Sequence, residues 1–462
     1  MVINASPTTQ NPIVSQTLTH LDPLDQWLQV SQATPRAIAL DWLQALQRRA
    51  VTQLSELALP TKKDEDWRFT DLSSLQAMSF GVPDAQIGLD PLAIAPLILP
   101  EVGQQRLVFV NGRYAPELSA LEDLPREARV GNLATIGMAH PELQTHLAQQ
   151  TDAAEVFTTL NTTGFRDAAV IWLPKGLVLT APLHLLFITV GSGQATLVQP
   201  RCLLIGELAS RITLVEDYVT LGPGCFYGAV NGTYFTNGVT EIRLRENAQV
   251  HHIRLQRESG SAFHVGQTLV SQGRGSRYTS HAITLGANLS RHNLRVQQRE
   301  TQAETTLNGL VLLGGDQVAD THSSILHTQP HGTSCQLHKC IVGDRAHAIF
   351  NGRIIVPQAA QMTNASQLNR NLLLSPKARV DTKPQLEIVA DNVKCAHGAT
   401  VSQLEVDETF YLQSRGLDRD SARNLLIDAF AGEIFQQLPL PSLETSLSRC
   451  LACRNVVDSA HP

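Results

Sequence analysis

No G-x-x-x-x-G-K-[ST] loop occurs anywhere in the 462 residues, so the chain carries no phosphate-cradling loop of its own. There is no G-x-S-x-G elbow, no H-E-x-x-H and no paired C-x-x-C layout. Their absence removes the common signatures of serine hydrolases, zinc proteases and structural zinc modules. Positive charge is also short. Lys and Arg number 36 against 42 Asp and Glu, a formal charge of −6, which argues against a protein that grips a nucleic-acid backbone. No apolar run reaches bilayer-crossing length, so no membrane attachment is expected. The first twenty residues hold neither a basic nor an apolar signal region, and the first Lys or Arg is Arg36. Disulfide pairing is not indicated. Seven cysteines, Cys202, Cys225, Cys335, Cys340, Cys395, Cys450 and Cys453, form an odd, scattered set that reads as reduced thiols. Together these features lead us to expect a cytoplasmic protein.

Hydrophobic residues make up 43% and charged residues 17%, enough for a sizeable core. Residues 1–100 read as a mainly helical region. In DWLQALQRRAVTQLSELAL, the residues Trp42, Leu43, Leu46, Val51, Leu54 and Leu57 recur near helical spacing, and Pro60 ends the run. Aromatics are 5% of the chain, and all four tryptophans, Trp27, Trp42, Trp67 and Trp172, lie in its first part. Aromatic packing is thereby concentrated away from the long middle.

Residues 101–400 read as a β core. Short apolar or alternating runs such as RITLVEDYVTL, TEIRLREN, LNGLVLLG and PQLEIVADNVKC recur about every 12–18 residues, with no long amphipathic helix between them. Two architectures compete. Asn-Gly pairs at Asn231, Asn237, Asn308 and Asn351 suit the hairpins of a sandwich. Short strands in an unbroken β region suit a solenoid, and this is the reading we adopt: a parallel β-helix. Residues 401–462 return to helical spacing. In LDRDSARNLLIDAFAGEIF, Leu425, Leu426, Ala429, Phe430, Ile434 and Phe435 form one stripe, and Asp418 or Asp420 is placed to cap the helix. A helical piece there caps a solenoid and offers a docking face.

The chemistry-bearing candidate is DNVKCAHGAT. Cys395 and His397 are two apart, and on a strand such residues share a face. A thiolate beside an imidazole is half a site for iron or zinc, and the same spacing also arises from plain packing. Eleven histidines fall between His251 and His397, and outward strand faces or turns account for most of them in this reading. His338 and Cys340 repeat the same-face spacing in reverse order. The lone pair Cys450 and Cys453 lacks the βαβ context of a redox motif and reads as two thiols on a helix.

Three segments resemble the SufB/SufD family. They are EDWRFTDL at Glu65–Leu72, NGRIIV at Asn351–Val356, and the long stretch from Leu368 to Leu417 that contains KCAHGAT. Within the family, C-x-H followed by G-A-T is similar to the SufD branch, where SufB-like chains carry H-E-A-T. The resemblance implies a mainly β fold, a right-handed parallel β-helix between N-terminal and C-terminal helical regions. It implies a subunit of an iron–sulfur cluster assembly scaffold, not an enzyme. The β-helix is implied to pair with a SufB-like paralogue, and the C-terminal helices to dock a SufC-like ABC ATPase that supplies ATP hydrolysis. Cys395 and His397 are implied to form a candidate half-site at the paralogue interface. There a transient cluster or iron is shared, with no cofactor held tightly by the isolated chain. An exposed β-helix edge makes a homodimer of the isolated chain an expectation as well. Readings from other classes also stand: a purely structural partner, a β-helix carbohydrate enzyme, and a primary scaffold holding a cluster alone.

Overall fold

The computed structural model describes residues 22–33, 40–84, 88–149, 155–191, 193–221 and 232–458, with side chains to residue 449. It is a mainly β chain, a parallel β-helix with helical regions at both ends. Two sheets face each other across a closed lumen. Sheet I stacks Arg211–Thr220, Gln249–Arg257, Arg277–Thr284, Glu304–Leu313, Thr333–Val342, Asn364–Leu373 and Lys394–Gln403 in parallel order. Sheet II stacks Tyr234–Leu244, Phe263–Gln272, Leu289–Gln298, Val318–His327, His347–Val356 and Arg379–Ile388 likewise. The chain passes between the sheets at every turn, so consecutive strands never pair in this region. One full turn advances the register by 26 residues at His264 to Ser290 and by 32 at Ala348 to Val380. This variable step is why no exact repeat is visible in the sequence.

Alternation sorts each strand into an inward and an outward row. In Thr333–Val342, Gln336 reaches across the lumen to Ser323 of sheet II, while Lys339 points out to the backbone of Phe430. The early turns fill the lumen with apolar side chains, among them Phe109, Ile171, Leu185, Leu204, Leu214 and Tyr218. Later turns are polar inside. Glu216 meets His252 at 2.7 Å and Thr240 at 2.5 Å. Glu258 meets His264 at 2.6 Å, and Arg254 lies against the other nitrogen of His264. His292 bonds to Thr268 at 3.0 Å and His327 to Ser334 at 3.0 Å. His338 stacks on Phe350 with ring centroids 4.6 Å apart. The expectation of outward strand faces or turns therefore fails for nearly half of the eleven histidines. Five of them, His252, His264, His292, His327 and His338, are buried in the lumen, each with a polar or aromatic neighbour.

The Asn-Gly pairs divide in the same physical way. Asn111-Gly112 has φ of 49° and 76° and closes the antiparallel hairpin of Arg106–Val110 with Arg113–Tyr114. Asn237-Gly238, Asn308-Gly309 and Asn351-Gly352 lie inside strands instead. A methyl group on Gly309 would fall 2.1 Å from His338 Nδ1, and one on Gly352 would fall 2.0 Å from Gln367 Nε2. These glycines make room for large polar side chains of the neighbouring turn. Asn231 lies outside the described residues.

The helices pack on opposite outer faces. Pro23–Ala33, Asp41–Leu54 and Val156–Gly164 cover sheet II, where Trp27 packs with Phe80, Phe157 and Phe235. The segment Glu65–Leu72 straps across that face. Arg291 lies 3.7 Å over the Trp67 ring and bonds to the Asp66 carbonyl, Thr70 bonds to Asp320, and Lys383 to Glu65. Arg419–Phe435 covers sheet I and is capped by Asp418, which accepts from the Ser421 amide at 2.7 Å. Its buried side is Ala422, Ile427, Ala431, Ile434 and Phe435, so the stripe is rotated from the one read in the sequence and Leu425 is left exposed. Lys339 anchors this helix, donating to the Phe430 carbonyl at 2.7 Å and pairing with Glu433, which also meets Arg370 at 3.1 Å.

Burial sets a pH dependence. It pushes His338 down to about 3, His327 to about 4 and His281 to about 3, the last helped by His251. These groups are neutral when folded and take up protons when unfolded below about pH 6.5. Their stabilisation is full above that pH and is lost as pH falls toward 4. Glu216 acts in the same direction lower down: burial raises it, but His252, Arg254 and Thr240 outweigh burial and hold it at about 2. We expect the denaturant midpoint to fall steeply from pH 7 to pH 5, by roughly 1 kcal/mol per buried histidine per pH unit. His338→Gln should flatten the curve by about one proton. Parallel curves would show that His338 is not held neutral.

Candidate functional site

Lys394–Gln403 is the last strand of sheet I. It pairs with Asn364–Leu373 and, among the described residues, with nothing on its other side. Arg379–Ile388 ends sheet II in the same way. Every earlier strand of the stack has its inward row roofed by the next turn. The final turn has no roof, so its inward row forms a mouth at the open end of the lumen.

The register places Cys395 over Ala365 and His397 over Gln367. Ala365 and Gln367 belong to the buried inward row, so Cys395 and His397 share a face and line the mouth. Cys395 is half-buried against Ile354, Val356, Ala360, Ala365 and Ala390. His397 is exposed. Burial raises the Cys395 thiol above its ordinary pKa, against a small opposing effect of a hydrogen bond from the Ala365 backbone. A metal taken up there must displace the thiol proton. Among the described residues no group of three or more His, Cys, Asp or Glu side chains is placed to hold a metal ion. The described residues thus place one thiol and one imidazole at an open mouth, donor types suited to a soft or borderline metal, with no third such side chain grouped with them.

The lip of the mouth is apolar and unprotected on one side. Val401, on the inward row beyond His397, is 51% exposed, and Phe410 on the helix Val406–Ser414 is 69% exposed. On sheet II, Pro384 sits in the edge strand opposite Gly352, where its missing N–H breaks no ladder bond.

The other candidate pair is not a site. His338 and Cys340 do share the inward face, but both are buried, and burial takes the thiol up to about 12. Cys335 faces outward and is exposed. Cys225 and the side chains of Cys450 and Cys453 lie outside the described residues. Sequence reasoning missed Gln336 and Gln367, which stand directly behind His397 in the same inward row. Their only sequence signal is a shared phase that becomes visible once the register is known.

Two family models match the chain. The SUF system FeS cluster assembly SufBD core domain matches residues 187–430, and the SufBD protein N-terminal region matches residues 25–185. An iron–sulfur cluster assembly SufBD family protein of Synechocystis sp. is 50% identical over 408 residues, covering 88% of this chain and 90% of the relative. The iron–sulfur cluster assembly protein SufD of Escherichia coli is 33% identical over 388 residues, 84% of this chain and 87% of its own. Protein ABCI7, chloroplastic, of Arabidopsis thaliana is 32% identical over 403 residues, 86% and 83% of the two chains. Among the described residues no helix is long and apolar enough to cross a membrane.

Exposure ranks Cys335, Cys395 and Cys340, and burial raises the last two thiols. With limiting iodoacetamide at neutral pH, peptide mapping should show Cys335 alkylated first, Cys395 more slowly and Cys340 only on unfolding. Labelling of Cys340 as fast as Cys395 in the folded chain would contradict the inward placement.

Proposed function

Because the chain belongs to the SufBD family of iron–sulfur cluster assembly proteins, we propose that it is the non-ATPase, SufD-type subunit of a cluster assembly scaffold. In this reading its open β-helix end pairs with a SufB-type paralogue, and Cys395 and His397 receive iron or the nascent cluster at that interface. The cluster is cargo, held in transit and passed on. One observation carries the reading: a thiol and an imidazole stand on the inward row of a final turn that no strand among the described residues covers. Two unpaired strand edges and an apolar lip are the features a second β-helix would cover. In an isolated chain the same edges would serve a homodimer.

ATP hydrolysis in this reading belongs to a SufC-type ABC ATPase docked on the C-terminal helices, since the chain has no phosphate-binding loop. The clamp of Lys339 and Arg370 on Glu433 supports a mechanical link. These two cations lie on the strands Thr333–Val342 and Asn364–Leu373, the last two before the mouth in sheet I. A displacement of Arg419–Phe435 by the ATPase would be felt there first. The mouth would then open or close around the cargo. The chain's place in the cytoplasm is part of the same proposal.

A structural role without metal ligation is the second reading. The half-buried, protonated Cys395 thiol and the absence of a third donor among the described residues favour it. Co-expression with SufB-type and SufC-type partners separates the two. We expect His397→Ala to remove most of the anaerobic cluster content while the complex stays intact. Unchanged content would leave only the structural role. We also expect Val401→Lys, a charge on the exposed lip, to lower co-purification of the paralogue without releasing the ATPase. Unaltered pairing would move the interface away from this edge.

A further inference from the structure

Gln336, Gln367 and His397 are consecutive register partners on three adjacent turns, all on the inward row. The first two form an amide ladder of the kind that stacked parallel strands favour. Gln367 Nε2 donates to Gln336 Oε1 at 2.8 Å, and Gln336 is held from the other sheet by Ser323 at 2.7 Å. Gln367 is 2% exposed, yet its Oε1 has no hydrogen-bond partner. The amide nitrogen is turned back toward Gln336, so the oxygen on the same planar carbon points away from that bond, and the residue stacked on Gln367 in the next turn is His397. Gly352 opens the slot, since a methyl there would fall 2.0 Å from Gln367 Nε2. Neighbouring turns are about 4.8 Å apart. The Gln336–Gln367 bond spans that step already.

We propose that Gln367 is the positioning residue of the mouth: when the exposed His397 ring turns in over it, the unpartnered side-chain oxygen accepts a hydrogen from one imidazole N–H and leaves the second ring nitrogen free to face the cargo. The inference rests on the reading of the mouth as a cluster assembly site and adds what orients its imidazole. A neutral imidazole has one N–H and one lone pair, and the bond made by the N–H fixes which nitrogen can ligate. A buried carbonyl left unpaired is costly, so the bond satisfies Gln367 as well. With that bond made, the ladder of Ser323, Gln336 and Gln367 extends to His397 at the mouth and holds the imidazole as an oriented donor.

The test uses the full chain with 15N-labelled histidine. The imidazole N–H signal that disappears in His397→Ala belongs to His397. We expect it to be protected from water exchange in the wild type, kept in Gln367→Glu, which retains the acceptor, and lost in Gln367→Met, which does not. If Gln367→Met fails to fold, Gln367→Asn withdraws the same oxygen by one methylene and should give the same loss. In the co-purified complex, Gln367→Met should weaken ferrous iron binding at the mouth roughly tenfold or more, with Gln367→Glu near the wild type. A His397 N–H that exchanges equally fast in wild type and Gln367→Met overturns the positioning role and leaves the assembly-site reading standing. A protected N–H, lost in Gln367→Met, combined with unchanged iron binding in both Gln367→Met and His397→Ala overturns it differently: the bond exists, but the mouth takes no cargo.

Discussion

Parallel in-register stacking governs this molecule. Each inward side chain sits about 4.8 Å from its counterparts on the turns before and after it, so every residue is judged by the row it joins. A row of Ser334, Ala365 and Cys395 or of Gln336, Gln367 and His397 is one continuous column of chemistry. The column stops where the stack stops. What is burial for Ala365 and Gln367 becomes a mouth for Cys395 and His397, because among the described residues no further strand pairs with Lys394–Gln403.

The polar half of the lumen shows how costly that burial would be without partners. Glu216, Glu258, Arg254, His252 and His264 lie away from water, and each finds an opposite charge or a hydrogen bond. Breaking one such pair strands the other member, a loss of about 3–5 kcal/mol. The chain accommodates these large polar groups by deleting side chains beside them: Gly309 gives space to His338, and Gly352 to Gln367. A fully apolar lumen would be easier to fill. The polar one fixes rotamers and register, because a one-turn slip would separate every partnered pair.

The outer faces are covered unequally. The strap Glu65–Leu72 ties the N-terminal region to three strands of sheet II through Arg291, Asp320 and Lys383. On sheet I, Lys339 is the buried anchor of the C-terminal helix, with the Phe430 ring 4.5 Å from its ammonium group. Both attachments reach the last turns of the solenoid, so the mouth is braced from both sides while its end stays open.

Much of this was legible in the residues. The change from helical to short-strand texture, a helix N-cap at Asp418 or Asp420, and the shared face of Cys395 and His397 follow from local patterns, which depend only on near neighbours in the chain. The family segments Glu65–Leu72 and Leu368–Leu417 are likewise read directly from sequence. The lumenal histidines were not legible, because inward and outward rows are equivalent until one knows which face is closed. The same Asn-Gly dipeptide closes a hairpin at Asn111 and opens a slot at Asn351, and only the neighbouring turn decides which. Sequence alone therefore determined the kind of fold and the same-face pair Cys395 and His397. Tertiary structure decided that they stand at an open mouth with Gln367 behind them, because those relations join residues about thirty positions apart through register, and register is a property of the whole stack.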